Sequence, residues 1–183
     1  MKHIFSIIIL LLLASCGQRQ TTESAAGAMD AVSDGGQSTV QDDVSQPDVV
    51  RIAVNSTDHT TLVTALKTAA YVDVLSNAGP FTVFAPTNAA FDKLEPGTVE
   101  NLLKPENKSA LQNILEYHVY VGVIKEENVQ DGMTLNQVNL ENVTLNKKDG
   151  KMTVNGANVL RAAKASNGIV YIIDQVLLPP TKK

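Results

Sequence analysis

The spacing of hydrophobic positions changes about halfway along the chain. In the first half, apolar residues recur every three to four positions, which is typical of helices that bury one face. One helix is predicted to begin near Asp58 or Thr60, and a longer one is predicted to include residues 111–118. Their inward positions are Leu62, Ala65, Leu66 and Ala69 in the first helix, and Leu111, Ile114, Leu115 and His118 in the second.

A short β-rich segment separates these two helices. Residues 81–85 form a β-rich run that stops at Pro86, and this run predicts a strand. Thr87 follows the strand and is expected to cap a short helix with its side-chain oxygen, while Thr98 is expected to cap a further turn. Thr87 and Asn88 are therefore predicted to be structural residues at a strand-to-helix junction.

Alternation of apolar and polar positions marks the second half of the chain. Asp149-Gly150, Asn155-Gly156 and Asn167-Gly168 lie between β-rich runs and predict hairpin turns, because these residues tolerate positive φ. The uninterrupted apolar run at 169–173 predicts a strand that is buried on both faces. Helices first and antiparallel hairpins afterwards indicate an α+β fold.

The N-terminus has the pattern of an export signal. Lys2 precedes an apolar run at 4–13, which is too short for a membrane-spanning helix of about 20 residues. Residues 1–15 are therefore predicted to be a secretory signal peptide. The sequence Leu13-Ala14-Ser15-Cys16 resembles the lipobox of bacterial lipoproteins, and this resemblance implies that the Cys16 sulfur receives a diacylglycerol. An ordinary secreted protein with a stray thiol is the alternative.

Lipidation would attach the chain to a membrane through Cys16, its sole cysteine. Gly17 after the cysteine favours the outer membrane, by analogy with enteric sorting. Residues 16–47 have few large apolar side chains and are predicted to be a disordered tether that is dispensable for folding. Residues 48–183 are predicted to form one domain. They hold 13 basic and 14 acidic residues without a basic stripe, which argues against nucleic acid as a partner.

Three blocks of this domain resemble the signature motifs of the fasciclin domain family. They are GPFTVFAPTNAAF at 79–91, LEYHV at 115–119 and ASNGIVYIIDQVLLP at 165–179. Their order and spacing agree with the family over residues 49–179. The resemblance implies a compact wedge of β-sheets flanked by helices, in a secreted or surface-anchored adhesion protein. Tyr171 departs from the family pattern, since many bacterial relatives carry a histidine there.

Tyr117 and His118 are the leading candidates for a binding role. The Tyr-His motif of some animal relatives is linked to integrin binding, so the resemblance implies a partner contact at these two residues. The position of His118 on the apolar face of its helix favours the alternative, a buried histidine that holds a backbone group. Asp174 ends an apolar strand and is expected to be structural, through a bond to a backbone N–H, to Arg161 or to a lysine.

Signatures of catalysis and metal binding are missing from the sequence. After the signal peptide, the only histidines are His59 and His118, and the nucleophile-elbow, His-Glu-x-x-His and P-loop patterns are absent. We therefore expect no enzymatic activity, no cofactor and no metal site. The sequence favours a lipid-anchored protein of the cell envelope that mediates adhesion or attachment through a protein or polysaccharide partner. The alternatives are a non-adhesive accessory lipoprotein of an envelope transport or polysaccharide-handling complex, and an unrecognised hydrolase or small-ligand binder.

Overall fold

The computed structural model describes residues 46–180, which form six α-helices and seven β-strands. The helices are α1 (Val49–Val54), α2 (Thr60–Ala69), α3 (Val72–Ser76), α4 (Asn88–Phe91), α5 (Thr98–Leu102) and α6 (Lys108–Tyr117). The strands are β1 (Phe81–Pro86), β2 (Val119–Val121), β3 (Met133–Asn136), β4 (Asn142–Lys148), β5 (Lys151–Val154), β6 (Ala157–Ala165) and β7 (Gly168–Ile173). Helices dominate the first half and strands the second, so the α+β prediction is confirmed. The predicted signal peptide, the lipid on Cys16 and nearly all of the predicted tether lie outside the described residues.

The seven strands form one sheet in the order β2-β1-β7-β6-β5-β4-β3. Strands β1 and β7 run parallel, with Phe81 opposite Gly168 and Pro86 opposite Ile173, whereas the other neighbouring strands are antiparallel. Strand β7 therefore lies between a strand of the helical half and a strand of the hairpin half. Residues 169–173 are all buried, which confirms the prediction of a strand that is covered on both faces.

All three predicted hairpins are present, and two of the three turns lie at the predicted residues. Asp149-Gly150 joins β4 to β5 with φ values of 52° and 75°, and Asn155-Gly156 joins β5 to β6 with φ values of 45° and 87°. Positive φ at both central residues matches the twist of the flanking strands. A hairpin also joins β6 to β7, but its turn is Ser166-Asn167, one residue earlier than predicted. Neither Asn167 nor Gly168 adopts positive φ, and Gly168 is already the first residue of β7.

Gly168 and Asn167 instead serve contacts with other parts of the fold, namely a close approach of two strands and hydrogen bonds to two helices. A Cβ atom on Gly168 would lie 2.0 Å from the Phe81 carbonyl oxygen, so glycine is what lets β7 approach β1. Asn167 Oδ1 accepts a hydrogen bond from the Val49 N–H at 3.0 Å, and its Nδ2 donates to the Leu75 carbonyl at 2.8 Å. Asn167 therefore fixes the start of α1 and the end of α3 against the sheet.

Helical spacing located both of the longer helices. Helix α2 buries the four predicted positions, Leu62, Ala65, Leu66 and Ala69. Helix α6 buries Leu111 and Leu115, and His118 is the residue that ends it. The prediction for Thr98 was wrong, because Gly97 at a φ of 85° precedes α5 and Thr98 is its first residue, without a capping bond. None of the helices between residues 46 and 180 is long and apolar enough to cross a bilayer.

Two hydrophobic cores cover the two faces of the sheet. The first packs α1, α2, α3 and α6 against β1 and β7, where it includes Val83, Val170 and Ile172. The second lies among the hairpins of the second half and includes Phe84 and Tyr171, whose ring centroids are 6.0 Å apart. Neighbouring residues of β1 and β7 thus enter opposite cores, as the two-residue period of a strand requires.

Candidate functional site

His118 is buried at the end of α6, and both of its ring nitrogens have partners. Its exposed fraction is 4%. Nδ1 donates to the Ile114 carbonyl at 2.7 Å, and Nε2 accepts a hydrogen bond from the Leu177 N–H at 2.9 Å. Because a backbone N–H can only donate, we assign the single hydrogen of the neutral ring to Nδ1. Burial lowers the pKa of His118 to about 4, although the bond to the Ile114 carbonyl partly opposes this shift.

The Tyr-His pair joins α6 to two distant parts of the fold. His118 holds the backbone of Leu177, in the segment that follows β7. The Tyr117 hydroxyl donates to the Asn142 carbonyl at 3.0 Å and accepts from Asn155 Nδ2 at 2.8 Å, which ties the helix to the hairpins. Tyr117 has an exposed fraction of only 2%. Neither side chain is presented at the surface, and both instead fix the elements around them.

A groove of about 960 Å³ lies between α6 and the segment that His118 holds. Leu178 lines this groove and is 53% exposed. The walls combine amide, apolar and acidic side chains, among them Gln112, Asn113, Ile114, Leu178, Glu106, Glu116 and Glu141. Sequence reasoning missed this groove, because an exposed leucine followed by two prolines carries no signal of the helix against which it docks.

Thr87 and Asn88 hold the ends of two helices. Thr87 Oγ1 accepts a hydrogen bond from the Ala90 N–H at 3.3 Å, at the start of α4. Asn88 Oδ1 accepts from the Thr61 N–H at 3.0 Å, and its Nδ2 donates to the Thr57 carbonyl at 3.0 Å. The residue before α2 gives that helix no capping bond, so Asn88 supplies one from across the fold.

Asp174 fixes the start of β6 to the end of β7. Its Oδ1 accepts from the Asn158 N–H at 2.8 Å, and its Oδ2 accepts from Asn158 Nδ2 at 2.9 Å. Lys93 Nζ lies 3.6 Å from Oδ2 and donates to the Asp174 carbonyl at 2.8 Å. Burial opposes ionisation of the carboxyl, but the bonds from Asn158 and the Lys93 charge outweigh it and lower the pKa of Asp174. Asp174 therefore has two of its expected partners, a backbone N–H and a lysine.

The groove beside α6 presents amides, apolar side chains and three glutamates, whereas His118 is enclosed behind it. Across residues 46–180, no three His, Cys, Asp or Glu side chains are grouped so that they could hold a metal ion.

Comparison with known proteins identifies the family. The model of the fasciclin domain matches residues 57–179. The chain belongs to the fasciclin domain family, which confirms the resemblance drawn from the three motifs. Protein sll1483 of Synechocystis sp. is 45% identical over 164 residues, which cover 89% of this chain and 85% of that protein.

Two mycobacterial proteins are also similar. Immunogenic protein MPB70 of Mycobacterium bovis is 38% identical over 143 residues, which cover 75% of this chain and 72% of that protein. Cell surface glycolipoprotein MPB83 of the same species is 36% identical over 143 residues, which cover 76% of this chain and 64% of that protein. Both relatives are therefore matched over most of the fasciclin domain.

A solved structure shares the fold. It is that of a FAS1 domain pair from the insect cell adhesion molecule fasciclin I, with a TM-score of 0.65 and 20% sequence identity. The match covers 72% of this chain and 51% of that one, so this chain spans about half of the solved pair. At this identity the likeness establishes the fold.

Proposed function

We propose that the chain is a lipid-anchored binding protein of the cell envelope, which mediates adhesion or attachment through a protein or polysaccharide partner. The observation that carries the proposal is the family: the chain has a fasciclin domain, and one relative is a cell surface glycolipoprotein. The position of Cys16 directly after Leu13-Ala14-Ser15 supports the anchor. The binding function needs no cofactor and no catalytic step.

The groove beside α6 is the surface that we assign to the partner. It has the mixed character of protein recognition sites, with an exposed leucine beside amide groups and three glutamates, and such polar groups suit either a peptide or a sugar. Tyr117 and His118 contribute as positioning residues, because His118 holds the Leu177 backbone and so sets the wall that carries Leu178. This assignment gives the Tyr-His motif a part in binding that requires no exposure of its side chains.

The anchor is tested by replacing Cys16 with serine. Mass spectrometry of the mature wild-type protein is expected to find a diacylglycerol on Cys16, and Cys16→Ser is expected to leave the membrane fraction or to stall before signal cleavage. An unmodified Cys16 in mature protein would remove the anchor from the proposal. Protease treatment of intact cells then reports whether the domain is displayed outside, as adhesion requires.

The partner surface is tested by comparing two exposed leucines. Leu178→Ser alters the groove, whereas Leu160→Ser alters a leucine of similar exposure (57% against 53%) on β6. Cells that carry the first variant are expected to lose attachment to one another and to a surface, and cells with the second to keep it. Equal attachment for both variants would exclude the groove. Copurification of the wild-type protein with an envelope complex, without any attachment defect in cells lacking the gene, would favour the accessory lipoprotein.

A further inference from the structure

His59 is a buried histidine with one unpartnered nitrogen. It lies in the turn before α2, and its exposed fraction is 2%. Nδ1 lies 2.8 Å from Ser56 Oγ, whereas Nε2 is buried and has no hydrogen-bond partner within residues 46–180. Buried polar atoms are nearly always satisfied, so an open nitrogen on a fixed ring indicates that something else occupies its hydrogen-bonding position.

The bonds around Ser56 guide the assignment of the ring hydrogen of His59. Ser56 Oγ accepts a hydrogen bond from the Asp58 N–H at 3.3 Å, and its own hydrogen finds an acceptor among the described residues only in His59 Nδ1, 2.8 Å away. On this network we assign the ring hydrogen of neutral His59 to Nε2. The open position is therefore that of a donor, and it requires an acceptor.

A cavity of about 200 Å³ adjoins this ring. Ser56 and His59 line it on one side, and the remaining walls come from α1, β1, β6 and β7. These walls are mostly apolar, as Ile52, Ala85 and Ile172 show, and no carboxylate lines the cavity. The volume exceeds that of a single water, whose share of the liquid is about 30 Å³, and lies below the roughly 300 Å³ at which pockets for drug-sized ligands begin.

Strand β6 brings a positive charge to the same cavity. Arg161 stands opposite Ile172, in the same register as the rest of β6 up to its turn into β7, and the pairing shifts only beyond it, at Val159. Because side chains alternate along a strand, Arg161 shares the face of Ala163, which packs against the core under the helices. Arg161 lines the cavity together with His59. Within residues 46–180 its guanidinium has no carboxylate partner at salt-bridge distance.

The charges that face His59 are those of Arg161 and Asp58. Burial is the main cause that lowers the pKa of His59; Asp58, which is exposed, opposes the shift, and Arg161 adds to it. An anion in the cavity would be favoured by the Nε2 hydrogen and by the guanidinium together. The apolar walls would exclude a strongly hydrated anion and accept one with a short carbon chain.

We propose that this cavity binds the carboxylate of a small aliphatic acid, with His59 Nε2 and Arg161 as the two donors and the apolar walls around the carbon chain. The site is separate from the groove beside α6 and independent of the function assigned to that groove.

The test is an NMR titration of the purified full chain with propionate, at constant ionic strength maintained with chloride. The His59 ring resonances are expected to shift saturably, and the pKa of His59 is expected to rise when the acid is bound. His118 serves as the internal reference, because both of its nitrogens are already partnered and its resonances should not move. Phosphate is expected to compete weakly or not at all.

Two variants and a matched control complete the experiment. Arg161→Gln is expected to weaken propionate binding by about tenfold, as loss of a charge-assisted hydrogen bond predicts. Lys164→Gln removes an exposed charge from the same strand, outside the cavity, and should leave the affinity unchanged. His59→Phe fills the site with an apolar ring, so it should abolish the stabilisation that propionate gives in a thermal melt.

The proposal is overturned by any of three results. The first is the absence of a saturable His59 shift with propionate, which would leave water as the acceptor at Nε2. The second is equal affinity of wild type and Arg161→Gln, which would remove the guanidinium from the site. The third is tighter binding of phosphate than of propionate, which would contradict the part given to the apolar walls.

Discussion

Replacing His118 with alanine tests the most enclosed ionisable group near the assigned groove. The change removes a ring that packs at the end of α6 and leaves the Leu177 N–H buried without an acceptor. An unsatisfied buried donor costs about 1–3 kcal/mol, before any loss of packing is added. We therefore expect the free energy of unfolding at pH 7 to fall by at least about 2 kcal/mol in His118→Ala.

The same residue contributes a pH dependence whose sign is fixed by its lowered pKa. The pKa is about 4 in the folded chain and 6.5 for an unperturbed histidine, so protonation favours the unfolded chain. The stabilisation is complete above pH 6.5 and is lost as the pH falls from 6.5 towards 4. One pH unit within this window corresponds to about 1.4 kcal/mol, so lowering the pH from about 6.5 to about 5 costs about 2 kcal/mol.

Thermal and denaturant unfolding at pH 7 and pH 5 measures both effects. Wild type is expected to lose about 2 kcal/mol more than His118→Ala between the two pH values. His59, whose pKa is lowered chiefly by burial, is present in both proteins, so the difference isolates His118. His118→Phe keeps the ring volume and loses only the polar bonds, which separates packing from hydrogen bonding. A histidine that titrates near pH 6.5 by NMR, or an alanine variant that unfolds like wild type, would refute this reasoning.

Three further predictions follow from individual contacts. Thr87→Ala removes the cap of α4 and should cost about 0.5–2 kcal/mol in denaturant unfolding, whereas Thr98→Ala, which removes no capping bond, should cost little. Asp174→Asn should lower the melting temperature at pH 7 and reduce the loss of stability below about pH 4, because the lowered pKa of Asp174 stabilises the fold above its unfolded value of about 3.8. Gly168→Ala should destabilise strongly in a thermal melt, since its Cβ would lie 2.0 Å from the Phe81 carbonyl oxygen; a normal melt would contradict the close approach of β1 and β7.

Sequence patterns predicted the turns and helices whose geometry depends only on residues that are adjacent in the chain. Asp149-Gly150 and Asn155-Gly156 form the expected turns because positive φ is a property of those residues themselves. The four inward positions of α2 follow from the helical period alone. Asn167-Gly168 marked the hairpin between β6 and β7, but its turn lies one residue earlier, at Ser166-Asn167. Asn167 and Gly168 instead make contacts with α1, α3 and β1. Those partners are distant in sequence, so the pair predicted the hairpin but not the position of its turn.

The sites were less predictable than the fold, because they are assembled from distant segments. His118 could be placed on a buried face from its spacing, but its second partner, the Leu177 N–H, lies in another part of the chain. His59 and Arg161 were not singled out as a pair at all. Their meeting depends on how β6 packs beneath the turn before α2, and these two segments are distant in sequence.

The central position of β7 also determines when the domain can be completed. Strand β1 is synthesised long before β7, yet its parallel neighbour and much of both cores depend on that late strand. A chain that ends short of Gly168 leaves the edge of β1 and two apolar surfaces open to solvent. Pairing of strands that are distant in sequence costs loop-closure entropy before the new contacts stabilise the fold. Folding of the domain is therefore completed in a single late step rather than gradually. Nascent or truncated chains are correspondingly exposed to aggregation and degradation until the final strand has been inserted.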